Sequence, residues 1–456
     1  MAKITLNRSV RDSLLTVALP ISLQSLFQAS LSVIDEIMIG QIGTDSITGV
    51  GLGSKFPGLF LITLAAIGTS ASIMISQYYG AESPQGVNRS FVCNGMLALL
   101  VTVLFFLPSA FFPEQIMRLY TNDSRIIRMG ADYLRLTAIG YFPLLCTTMV
   151  SAILRNTGYA GIPMAASIVS VLANTLLNYL LIFGSFGAPR LGVNGTAVAT
   201  TASRMLESLI LLAFFFRFRQ KGVFGIRFRS ALPRNFLKLT LVIASPIVAN
   251  EFLWGFGDTV YASVYGHIGT EAAAAMTLTY PVQSLSIGLF TGVSSAAAIL
   301  VGNSLGKEKT DEAYATSRSF LRLGMAGSAC FVFILLMLSR IYVNLYNVPE
   351  TTKQTTAFLL AVFAGFLLIK VSNMILGGGI LRSGGNTGYT LLLDVLGTWG
   401  IGVPLGLLAG FVLRLPIQWV YFFISVEEAV RLVLGLWIFR SGKWINNITQ
   451  KNVSRA

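Results

Sequence analysis

Charge is what this sequence has least of. Charged residues make up 11% of the 456, against ~25% in soluble domains. So few charges cannot cover the surface of a soluble chain this long, which excludes secreted, nuclear and disordered classes. Only three cysteines are present, Cys93, Cys146 and Cys330. All three sit in apolar runs, so neither a disulfide framework nor a zinc site is expected. His267 is the single histidine, which removes most histidine-based metal and triad chemistry. No G-x-x-x-x-G-K-[ST] loop, H-E-x-x-H or G-x-S-x-G site occurs, so neither nucleotide hydrolysis nor an intramembrane enzyme is expected. A potassium-type filter repeat is also missing.

What fills the chain instead is apolar: 54% of residues are hydrophobic. A span needs ~20 mostly apolar residues. Breaking the chain at polar and Gly/Pro clusters predicts an all-α polytopic membrane protein with twelve spans. They lie near 13–39, 48–78, 90–112, 129–154, 160–184, 194–217, 239–265, 274–303, 316–338, 355–380, 387–411 and 416–439. The first apolar stretch runs on to Gly40 without a small-residue cleavage site, so it reads as a span and not a signal peptide. The net charge of +14 comes from Lys and Arg in short loops, where such residues set topology. Segment 217–238 is rich in Lys and Arg and has no acid. It joins the basic N-terminus and the tail with Arg440, Lys443, Lys451 and Arg455 on the cytoplasmic side. Two halves of six spans follow: an N-lobe at 1–216, a basic linker at 217–238, a C-lobe at 239–440 and a cytoplasmic tail at 441–456. The tail reads as an interfacial anchor on membrane lipid, with no nucleic-acid partner.

The halves repeat. A shift of 226 places Pro20 on Pro246, Gly40–Thr44 (GQIGT) on Gly266–Thr270 (GHIGT), and Gly80 on Gly306. A shift of 227 places ILRNTG (Ile153–Gly158) on ILRSGG (Ile380–Gly385), and Arg204 on Arg431. An even number of spans per half gives both halves one orientation, as in transporters built from parallel repeats with substrate sites at the repeat interface.

Intramembrane ionisable groups are functional candidates because insertion costs ~2.5–3.5 kcal/mol each. The first span carries Ser25, Gln28, Ser32 and Asp35 on one helical face. The seventh carries Glu251, Trp254, Asp258 and Tyr261 at the same spacing, 226 residues on. Polar twice, this face belongs inside. A carboxylate removed from water either takes up a proton or holds a cation, and either couples an ion gradient to movement. Asn174 and Asn178, at i,i+4 on the fifth span, either offer amide oxygens to a cation or bond neighbouring helices; Thr200 is a similar case. Arg204 with Glu207 and Glu427 with Arg431 are expected to form structural ion pairs. Asp394 and Lys370 show no partner in sequence, and Lys370 has the option of snorkelling. The glycines at 377–379 and 384–385 suggest close helix packing or a flexible joint.

Several stretches taken in order resemble the multidrug and toxic compound extrusion (MATE) family over nearly the full length. They are LPISLQSLFQASLSVIDEIMIGQIGTDSI, ISQYYGAES, ILRNTG, PIVANEFLW and ILRSGG. The resemblance implies an antiporter in a bacterial or archaeal cytoplasmic (inner) membrane; with both lobes in one chain, it is expected to work as a monomer. It would export cationic amphiphilic drugs or metabolites in exchange for Na+ or H+, without a cofactor. It implies an outward-open V of two six-helix lobes alternating with an inward-open state. Asp35 matches the family's first-helix acid, Pro20 the proline whose bend is tied to that site, and Glu251 the seventh-helix glutamate of the C-lobe cation site. Asn174 and Thr200 match further ligands of a sodium site. Asn178 stands where some members have an acid, and Ser372 and Asn373 stand where a tenth-helix aspartate is found. Asp394 is a candidate substitute. The alternative is a flippase for lipid or lipid-linked oligosaccharide of related architecture.

Overall fold

The computed structural model describes residues 14–40, 44–120, 123–220, 234–344 and 349–446. The basic N-terminus, most of the linker, and Lys451 and Arg455 of the tail lie outside the described residues. Among the described residues the protein is helical, with one isolated bridge between Gly385 and Ile445.

Six spans come from each half. The first is Leu19–Gly40, entered through a π turn at Leu14–Ala18. The second and third are Lys55–Gly80 and Pro84–Phe111. The fourth is a pair, Ser124–Ala138 and Tyr141–Asn156, bent by 45°. The fifth and sixth are Gly161–Phe183 and Val193–Gln220. In the second half the seventh, eighth and ninth are Arg234–Ile268, Tyr280–Gly306 and Thr310–Asn344. The tenth, Glu350–Asn373, runs on through a π segment, Met374–Leu381. The eleventh begins at Gly388–Asp394 and alternates between π and α turns to Val412. The twelfth is Ile417–Ser441.

Nine of the described helices are long and apolar enough to cross a bilayer unaided, and the bent pair makes a tenth. The other two spans fall short for separate reasons. Only Leu15–Gln28 of the first is described throughout, side chains included. The twelfth carries Glu427, Glu428 and Arg431 in its middle, which lowers its hydropathy without shortening it. The ninth shows what faces lipid. Phe333, Met337 and Ile341 recur every four residues and are 62–65% exposed, a stripe that only hydrocarbon would cover.

The internal repeat extends to backbone detail. The second and eighth spans end in the same Schellman turn, with Glu82 (φ 52°) and Glu308 (φ 62°) in the left-handed region. Ser83 N donates to Tyr78 O and Lys309 N to Ser304 O, both at 3.0 Å. Gly158 (φ 89°) and Gly385 (φ 80°) close the two ILR segments, where a side chain would be strained.

The chain divides into two compact units, Leu23–Ala244 and Met1–Ser22 together with Ser245–Ala456. The breaks fall within two residues of Pro20 and Pro246, positions where a helix lacks one backbone donor. The start of the first helix packs inside the second unit, where Ser22 Oγ donates to Leu289 O at 2.6 Å. Gly292 permits that approach, since a Cβ there would overlap Ala18 O and Ser22 Oγ. The glycines of the tenth span serve close packing. A Cβ on Gly379 would lie 2.7 Å from Ser294 O, and Ser294 Oγ bonds Met374 O at 2.8 Å, serving a carbonyl of the π segment. Gly384 abuts Trp444, which is fully buried between Tyr314 and Phe439. Asn446 N bonds Gly384 O at 2.8 Å and closes this end.

Candidate functional site

In the unit containing Ser245–Ala456, glycines bring the seventh, eleventh and twelfth spans close enough for long polar side chains to meet. A Cβ on Gly257 would lie 2.5 Å from Thr398 Cγ2. On Gly397 it would meet the Arg431 side chain, and on Gly402 both Glu427 Oε2 and Tyr261 Oη. Trp399 Nε1 donates to Leu253 O at 3.2 Å and its ring stacks on Phe256. Small residues at helix crossings are the usual device for such contact in membranes.

Into that space project three cations and five carboxyl groups. Arg431 lies 3.4 Å from Asp394 Oδ1 and 3.5 Å from Glu427 Oε1, and it also bonds Thr398 Oγ1. Tyr261 Oη donates to Glu427 Oε2 at 2.6 Å. Arg382 pairs with Glu251 Oε1 at 3.1 Å. Lys370 pairs with Glu428 Oε1 at 3.2 Å, while Asn373 Nδ2 reaches Glu428 Oε2 at 2.8 Å and its backbone oxygen at 2.7 Å. Among the described residues, Asp258 alone of the five makes no ion pair or hydrogen bond.

Two cavities of ≈ 290 Å³ each open among these groups and share Trp254, Ile287, Lys370 and Glu428 as lining. One contains Glu251, Arg382, Asp394 and Arg431 in its wall. The other contains Asp258 and Glu427 with four tyrosines, Tyr261, Tyr265, Tyr280 and Tyr421. Each volume is near the lower end for a drug-sized ligand (~300–1,000 Å³). With every group ionised, five acids against three bases leave the lining at net −2.

The other unit holds a smaller polar cluster. Asn178 Nδ2 donates to Asn174 Oδ1 at 2.9 Å. Asn174 Nδ2 reaches Ser203 Oγ at 3.2 Å and Thr200 Oγ1 at 3.5 Å. Both asparagines are buried, so this cluster ties the fifth span to the sixth. Gln28 Nε2 donates to Ser167 Oγ at 3.3 Å. Asp35 is on the first helix, but its side chain lies outside the described residues, as does that of Ser32.

The sequence-predicted groups therefore separate. Glu251, Asp258, Tyr261 and Asp394 line the paired cavities, whereas Asn174, Asn178 and Thr200 form the cluster in the other unit. The Glu427–Arg431 ion pair is present. Arg204 and Glu207 make no ion pair among the described residues. The Arg204 stem lies over Gly140 at the bend of the fourth span. Asp394 and Lys370 find partners on the twelfth span. Glu428, Arg382 and the tyrosines at 265 and 421 were not among the sequence candidates. The signal for Glu428 was there, a second carboxylate beside Glu427 inside an apolar span.

Comparison with known proteins bears on this geometry. The MatE family model matches residues 20–180 and 246–408, one block in each half. The probable multidrug resistance protein NorM of Thermotoga maritima is 25% identical over 441 residues, covering 95% of this chain and 93% of its own. Multidrug resistance protein NorM of Burkholderia vietnamiensis is 27% identical over 441 residues, covering 93% and 92%. Among solved structures, an outward-facing multidrug resistance MATE family transporter of the MOP superfamily matches at TM-score 0.88 and 19% identity. That match covers 95% of this chain and 96% of the other.

Proposed function

Since the chain belongs to the MATE family of membrane transporters, we propose that it is a secondary antiporter that exports organic cations in exchange for Na+ or H+. The observation that carries the substrate class is Asp258. It is a carboxylate without an ion pair among the described residues, in a cavity walled by Trp254 and four tyrosines. Aromatic faces attract a cation by ~0.5–2 kcal/mol each, and a carboxylate without a competing ion pair supplies the charge. The names of the relatives, multidrug resistance proteins, support the same reading. An acidic lining disfavours the anionic headgroup of a lipid-linked oligosaccharide, so the flippase alternative is the weaker reading.

In this mechanism Glu251 and Asp258 attract the cation, while Arg382 holds Glu251 in place until substrate or ion competes for it. A ligand shifts the inward–outward equilibrium only through its differential affinity for the two states. Neutralising a carboxylate with the coupling ion weakens its hold on the drug and so links the two fluxes. Asp35, Gln28, Asn174, Asn178 and Thr200 are proposed as a separate coupling-ion region, with Pro20 governing the bend of the first helix. Amide and hydroxyl oxygens suit Na+ as hard ligands. A sodium ion taken up there would displace the Asn178 hydrogen bond from Asn174 Oδ1. The 1–216 and 239–440 lobes with their 217–238 linker, monomeric action, placement in the cytoplasmic membrane and cytoplasmic termini belong to this proposal.

The test is efflux of a fluorescent organic cation from proteoliposomes, under a sodium gradient or a pH gradient imposed separately. Wild type would be run beside Asp35→Asn, Glu251→Gln and Asp258→Asn. Efflux driven by one gradient and abolished by a substitution is expected. Dye movement under neither gradient refutes the antiport reading. Undiminished efflux in all three variants refutes the choice of carboxylates.

A further inference from the structure

The charges of the cavity fall into two groups when set against the internal repeat. Arg382 and Arg431 have counterparts 227 residues earlier, Arg155 and Arg204. These arginines belong to scaffolding that both halves share. The remaining charges have no such counterparts. The positions equivalent to Lys370 and Glu428 are Pro143 and Thr201, and Asp258 corresponds to Ser32 at the 226 shift. The other three carboxylates likewise fall on Ser25, Ser167 and Thr200, so the lysine and all five acids are present in one half only; Lys370 and Glu428 line both cavities, and Asp258 lines the one with the tyrosines.

Lys370 shares the wall of one cavity with Asp258. Its ammonium is held by Glu428 at 3.2 Å, and Glu428 is fixed in turn by two hydrogen bonds from Asn373. The lysine therefore places a positive charge, on a flexible four-carbon stem, at the edge of an acidic aromatic cavity. That is the position an incoming cation would take. Building on the reading that this cavity takes organic cations, we propose that Lys370 is a tethered counter-cation which substrate displaces and which sets the charge selectivity of the site. It holds the lining at net −2 instead of −3, and so favours monovalent over divalent organic cations.

The ratio of two affinities reads this directly. One charge ~8 Å away at an effective dielectric of about 30 changes monocation affinity about tenfold and dication affinity about a hundredfold. Equilibrium dialysis of the purified full-length protein against tetraphenylphosphonium and against methyl viologen would supply both numbers. Lys370→Met is expected to raise methyl viologen affinity about tenfold more than tetraphenylphosphonium affinity. Glu428→Gln is expected to move the ratio the opposite way. Lys370→Arg, and the double variant Lys370→Met/Glu428→Gln, which restores net −2, should keep the wild-type ratio.

A loss of packing alone would weaken both ligands alike and leave the ratio unchanged. An unchanged ratio in Lys370→Met, with wild type binding, overturns the inference while sparing the cation reading. Should Lys370→Met fail to yield folded protein, Glu428→Gln carries the test, and an unchanged ratio there overturns it equally. Binding of neither cation by wild type overturns the cation reading and this inference together.

Discussion

Arg431 is the junction of the charge cluster, and replacing it tests whether the cluster is formed as described. Its side chain is 11% exposed and sits within 3.4–3.5 Å of two carboxylates, themselves 26% and 9% exposed. At an effective dielectric of about 20, each contact represents ~5 kcal/mol of Coulomb attraction. Desolvation offsets much of that, and breaking a buried pair typically costs ~3–5 kcal/mol because a charge is left stranded. Arg431→Met strands two. At ~2.1 cal/mol/K per residue, a chain of this length has an unfolding entropy of ~1 kcal/mol/K. The melting midpoint in detergent, followed by the monodisperse fraction surviving heating, should therefore fall by roughly 3–5 °C. Arg431→Lys should recover less than half of that, since one ammonium cannot fork between Asp394 and Glu427 while bonding Thr398. The triple variant Arg431→Met/Asp394→Asn/Glu427→Gln removes the stranded charges and should recover most of it. A midpoint within about 1 °C of wild type for the single variant, or a triple variant as unstable as the single one, would refute the reasoning.

Three further outcomes follow from the same geometry. Tyr261→Phe removes the donor to Glu427 Oε2, a charge-assisted bond of ~1.5–3 kcal/mol. The midpoint should drop by ~2–3 °C, and no drop would mean the bond is not made. Gly292→Val collides with backbone at Ala18 and Ser22, so the monodisperse peak on size exclusion should be lost. Gly58→Ala, which meets nothing within 4 Å, should elute as wild type. Trp444→Ala empties a fully buried site and should cost ~3–5 kcal/mol, read as a midpoint lowered by ~3–5 °C.

The spans were legible because each is a long apolar run and because the second half repeats the first, down to Glu82 and Glu308. The bend at Gly140–Tyr141 was not, since hydropathy reports what a helix buries and not where its axis turns. Individual site residues were legible for a single reason: a charge inside a span is conspicuous whatever surrounds it. Their pairing was hidden. Lys370 and Glu428 are 58 residues apart, and Asp394 meets Arg431 only where glycines at 397 and 402 let two helices close up. Such proximity is decided by three-dimensional crossing, which neither period nor spacing encodes. For the same reason Arg204 looked paired with Glu207 at i,i+3, when its stem in fact follows the bend in the fourth span.

The seat of Trp444 bears on the order of synthesis. The tenth span and its Gly384–Gly385 turn leave the ribosome some sixty residues before the tryptophan that fills the space beside them. Until then Gly384 O lacks its partner on Asn446, and the Tyr314 and Phe439 rings have an open side. A nascent chain halted short of Trp444 carries all twelve spans yet leaves this corner unsealed. Quality control that senses open apolar surface would thus find a marker of incomplete translation here. A fusion partner or affinity tag is best attached beyond Asn446.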